Sequence, residues 1–97
     1  MKQSTFDNEI AKAVEIAVAE VFECRASEIV SMKDTLVKKV VVFVLASTEN
    51  YTARVLGANY QISYLYVPTV IAELEHMKKV VPGFAQKIND VYEKILD

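Results

Sequence analysis

The chain is poor in the residues that most enzymes and cofactor proteins rely on. Its 97 residues include one cysteine, Cys24, one histidine, His76, two glycines, two prolines and no tryptophan. A single cysteine excludes an intramolecular disulfide and fits a reducing compartment, so a cytoplasmic protein is expected. One His and one Cys far apart in sequence do not make a zinc site, and no metal is expected. Two glycines cannot build a phosphate-cradling loop, and no cofactor is expected. Without a third group to orient a His–Cys pair there is no nucleophile–base arrangement, and an enzyme is not expected. Long apolar runs are missing too. The longest, Val40 to Ala46, has seven residues, where a membrane span needs about twenty. The segment after Lys2 is polar, so no signal peptide is expected.

What remains is the composition of one folded domain spanning 1–97: 53% apolar residues, 25% charged and a net charge of −2. The patterning predicts an all-α bundle of five to six helices. Phe6, Ile10, Val14, Ala17, Val18 and Val21 recur at helical spacing from about Thr5 to Cys24, with Ser4 or Thr5 as the cap. Residues 26–30 suit one or two helical turns, with Ile29 and Val30 inward. Val37 to Ala46 is β-branched and strand-like by propensity. No second such run exists to pair with it, so a helix buried on all sides is expected. Thr52 caps a short helix from Ala53 to about Asn59. A further helix begins at Val67 or Pro68, because proline is tolerated in a first turn, and ends at Val80. Pro82 and Gly83 punctuate before a last helix to Leu96, with Phe84, Ile88, Val91, Tyr92 and Ile95 on one face.

The informative stretch is 52–80. Thr52-Ala-Arg-Val-Leu-Gly-Ala-Asn-Tyr-Gln-Ile-Ser63 has the grammar of a helix-turn-helix. Gly57 and Ala58 allow close approach of a second helix, Tyr60 and Ile62 plug the corner, and Ser63 caps the next element. The second helix would present its first residues to a DNA major groove.

From Val14 to Ile95 the order of elements resembles the C-terminal DNA-binding domain of the bacterial replication initiator DnaA, which is similar to the Trp repressor in fold. The resemblance rests on Val21-Phe-Glu-Cys-Arg-Ala-Ser-Glu-Ile-Val30, on the central apolar helix at Val41 to Ala46, and on Leu56-Gly57-Ala58-Asn59-Tyr60, which matches the family's Ile-Gly-x-x-Phe. It implies a module that binds double-stranded DNA in replication or transcription regulation. It also implies a phosphate role for Lys38 and Lys39, where the family's basic loop meets the buried helix. The family's Gly-Gly-Arg-Asp-His-Thr-Thr-Val is replaced here by Gln61-Ile-Ser-Tyr-Leu-Tyr-Val67, without its Arg, Asp and His.

The candidate DNA contacts are therefore Lys38, Lys39, Arg54, Ser63, Tyr64, Tyr66 and Thr69. Residues 35–72 are the only net-positive third, at +2. Phosphate contacts supply most non-specific affinity. With so few cations a monomer should bind weakly, and a homodimer would double the contacts. The alternative is a protein-interaction or self-association module. Tyr64, Leu65 and Tyr66 cannot all be buried ahead of Val67, and an exposed Tyr-Leu-Tyr is a contact patch of the kind proteins use.

Overall fold

The computed structural model describes residues 6–29 and 35–96, and these form an all-α bundle. Five α-helices are present among them: α1 (Asn8–Phe22), α2 (Leu36–Thr48), α3 (Ala53–Tyr60), α4 (Val67–Val80) and α5 (Phe84–Leu96). One turn of 3₁₀ helix, Ala26–Glu28, lies between α1 and α2. Val30, expected to point inward, lies outside the described residues, whereas Ile29 is fully buried.

Each helix start has a local cause. Asp7, not Ser4 or Thr5, occupies the cap position of α1, and its carboxylate accepts the N–H groups of Glu9 at 2.9 Å and Ile10 at 3.2 Å. The aspartate adds negative charge at the positive end of the dipole, which a hydroxyl cannot. Thr35 Oγ1 accepts from Lys38 N–H at 3.3 Å and Thr52 Oγ1 from Val55 N–H at 3.2 Å. Pro68 sits in the first turn of α4, where its missing N–H leaves no bond unmade.

The centre of the bundle is α2. All six residues from Val40 to Leu45 are buried. They are covered by α1, α3 and α4, which all pack against α2. A β-branched run adopts a helix here because burial on every side outweighs a propensity difference of under about 1 kcal/mol per residue. At its end Ser47 Oγ and Thr48 Oγ1 donate back to the Val44 carbonyl, at 3.0 and 2.8 Å.

Around α2 the other helices turn their stripes inward: Val14, Ala17 and Val18 from α1, Val67, Val70 and Leu74 from α4, and Phe84, Ile88 and Val91 from α5. Helix α5 closes the bundle against α1 and α4, and Lys94 Nζ meets Glu20 across α1 and α5 at 2.9 Å.

Two tyrosines tie this core to α1. Both rings are buried, but neither hydroxyl simply emerges at the surface. Tyr51 Oη accepts the Asp7 N–H at 3.1 Å. Tyr60 Oη donates to Glu15 Oε2 at 2.7 Å, and its ring is 1% exposed. Burial first, then the hydrogen bond to Glu15, push the Tyr60 phenol well above its ordinary value.

This raised value links stability to alkaline pH. An unfolded tyrosine ionises near pH 10, while the folded one stays neutral, so its contribution is complete below that pH and declines above it. The expected result is a urea midpoint that falls as pH rises beyond about 10. Tyr60→Phe removes this part of the decline and costs about 1 kcal/mol at neutral pH through the lost hydrogen bond. A pH series of urea titrations on both proteins checks it, and parallel alkaline declines would contradict it.

Candidate contact surface at the α3–α4 corner

Helices α3 and α4 are joined by residues 61–66, a connection that lies flat on α3. Gln61 enters the left-handed region at φ 56° and ends α3. The Ile62 N–H then bonds back to the Gly57 carbonyl at 3.0 Å. A Cβ at position 57 would stand 2.5 Å from the Ile62 carbonyl oxygen and 3.1 Å from the Tyr64 nitrogen. Gly57 is therefore needed for the approach of the connecting backbone, not of the second helix expected from the sequence. The rest of the connection is a turn in which the Tyr66 N–H bonds to the Ser63 carbonyl at 2.9 Å and Ser63 Oγ accepts from Leu65 N–H at 3.3 Å. Ser63 thus organises the turn ahead of α4, while the cap position itself is held by Tyr66 without a side-chain bond.

This geometry leaves Tyr64 and Leu65 outside. Leu65 is 73% exposed. Tyr64 is exposed on one face and covered on the other by Arg54, whose guanidinium carbon lies 4.2 Å from the ring centroid. Tyr66 is half-buried against the core. Thr69 is exposed on the first turn of α4. An apolar cleft of about 290 Å³ opens between α2, α3 and the start of α4, lined chiefly by Ala46, Tyr51, Ala53, Leu56, Pro68 and Ile71.

The two lysines carried over from the resemblance need correction. Lys38 is 2% exposed and lies inside the bundle, so the phosphate role expected of it has no surface to act from. Burial of a lysine was not legible because Lys38 and Lys39 look alike in sequence. The helical turn of about 100° per residue sends one inward and the other to the flank of α4. Lys39 Nζ is held by both carboxylate oxygens of Glu73, at 2.8 and 3.4 Å, and stands 5.9 Å from the Tyr66 ring centroid. It joins α2 to α4.

Of the expected cations, Arg54 alone is at the corner's surface, and it leans on Tyr64. Of the candidate residues, Arg54 lies on Tyr64, Ser63 bonds the backbone of Leu65 and Tyr66, Lys39 reaches the buried side of Tyr66, and Thr69 is exposed on the turn that follows; Lys38 alone is withdrawn into the core. Sequence reasoning missed Glu73 and the cleft residues, because both depend on which helices pack side by side.

No titratable constellation accompanies the corner. Among the described residues there is no group of three or more His, Cys, Asp or Glu side chains able to hold a metal. Nor is any described helix long and apolar enough to cross a membrane. No family model, curated protein or solved structure matches the chain.

Proposed function

We propose that the chain is a protein-contact module that associates with a second copy of itself through the α3–α4 corner, on a scaffold resembling the DnaA C-terminal domain. The observation that carries this reading is an exposed leucine in the turn that leads into α4, whose first residues line an apolar cleft. Leu65 projects from the turn, and Pro68, three residues on, lines the cleft. A two-fold contact would set the leucine of each copy against the cleft of the other.

Duplex-DNA binding is the less supported function. A DNA reader places Arg, Lys, Asn or Gln where its second helix begins. Here Val67, Pro68 and Thr69 begin α4, and the six-residue connection before it is longer than the three or four residues of DNA-reading helix pairs. Further along α4 Glu75 is exposed, and Glu73 takes up the charge of Lys39.

Sedimentation equilibrium at increasing concentration tests the proposal. A reversible dimer is expected, weakened by Tyr64→Ser with the helical circular dichroism spectrum unchanged. A monomer at every concentration, with duplex binding that falls steeply with salt and is lost in Arg54→Glu, would overturn it in favour of DNA.

A further inference from the structure

Helices α3 and α4 each carry one exposed charge that no residue of the same copy takes up. Arg54 stands in the first turn of α3, with its guanidinium carbon 4.2 Å from the Tyr64 ring centroid. Glu75 stands midway along α4. Neither side chain makes an ion pair among the described residues. Lys39, Lys94 and Arg25, by contrast, are matched with Glu73, Glu20 and Glu28.

Helix geometry places Glu75 in line with the cleft. Pro68, Ile71 and Ala72 line it from α4. At about 100° per residue these three point into an arc of about 100°, and a residue seven positions after Pro68 falls inside that arc. Glu75 thus continues the stripe, about 4.5 Å further along the axis than Ala72. Lys79, one turn on, is exposed and does not bond it. Arg54 belongs with the leucine instead. The ring it covers is Tyr64, the residue before Leu65, so the cation and the apolar knob are presented together.

We infer that Arg54 of one copy pairs with Glu75 of the second copy, and that two-fold symmetry forms this pair twice. The inference rests on the self-association reading above and names the charges that select the partner. Leu65 entering the cleft brings the Arg54–Tyr64 stack against α4 of the other copy, where Glu75 carries the unmatched carboxylate. Glu49 is next to Asn50 of the cleft lining, but it has an interaction within its own copy. Stacking on Tyr64 restrains the guanidinium beforehand, so less side-chain freedom is lost when the pair forms. The leucine supplies affinity, and the crossed charges supply register and discrimination against a surface that offers an apolar knob without a cation.

Exchanging the charges tests the pairing. The Arg54→Glu homodimer sets carboxylates against each other, and the Glu75→Arg homodimer sets guanidinium groups against each other. Each variant is expected to self-associate about ten- to a hundredfold more weakly than the parent chain, with its helical circular dichroism spectrum unchanged. Mixed in equal amounts, the two variants oppose carboxylate to guanidinium at both pairs. A heterodimer of near-parental strength is then expected by sedimentation equilibrium. Mixing repairs a broken ion pair, whereas it does not repair a misplaced Tyr64 or a damaged fold. Two results would overturn the pair and leave the contact standing, provided Leu65→Lys still dissociates the parent dimer. One is variants that dimerise like the parent or stay as weak when mixed as when alone. The other is recovery of Arg54→Glu by Glu49→Arg and not by Glu75→Arg. A parent chain that is monomeric at every concentration would overturn the contact and the pair together.

Discussion

Replacing Gly57 by alanine lowers the stability of the fold by about 2 kcal/mol, although alanine is the better helix former. Propensity alone favours alanine in a helix interior by about 1 kcal/mol. Against this, the new methyl carbon meets the Ile62 carbonyl oxygen at 2.5 Å and the Tyr64 backbone at 3.1 Å. Both obstacles are backbone, so no flexible side chain can swing aside. The 61–66 connection must lift from α3, and the Ile62 N–H bond to the Gly57 carbonyl lengthens with it. Overpacking of this kind costs about 1–3 kcal/mol, sometimes more, and here it outweighs the propensity gain. For a domain of this size the loss lowers the melting temperature by roughly 10 °C. A thermal melt followed by circular dichroism measures it. An unchanged or higher midpoint would mean that the connection does not rest on Gly57.

Leu65→Lys removes self-association without harming the fold. The side chain is 73% exposed, so a lysine stays hydrated in the single copy, and at concentrations where both chains are monomers the melting temperature is unchanged. In a two-fold contact the position counts twice. Burying one leucine stabilises an interface by about 1.5–3 kcal/mol, and losing it from both copies weakens the dimer by about 10²- to 10⁴-fold. The lysine also leaves an uncompensated charge in the contact, which adds to the loss. Sedimentation velocity on the variant should show a monomer where the parent chain shows a dimer. A variant that still dimerises would place the contact elsewhere.

Much of the fold was legible because local signals agreed with one another. Thr52 announced α3, and the structure uses it as the cap; Pro68 and the Pro82-Gly83 pair marked the ends of α4 as they are found. The Val40–Leu45 run was ambiguous by propensity and became readable from the lack of a partner strand. The first helix cap went to Asp7 rather than Ser4 or Thr5, because three capping residues stand close together and only packing selects among them.

The candidate site was legible in part. The exposure of Leu65 follows from its place ahead of the inward stripe at Val67. The fates of Lys38 and Lys39 did not follow, since one turned into the core and the other met Glu73, thirty-four residues away in sequence. Ion pairs between helices, and the cleft beside Pro68, depend on packing that no local pattern encodes.

Self-association through the α3–α4 corner is tested most directly by an isotope-filtered NOE spectrum on a mixture of ¹³C-labelled and unlabelled copies, at a concentration where the chain sediments as a dimer. Intermolecular NOEs are expected from the Leu65 methyl groups to Ile71 and Tyr51 in the cleft of the second copy. Intermolecular NOEs that leave Leu65 and the cleft untouched would contradict this contact, as would a chain that is monomeric at every concentration.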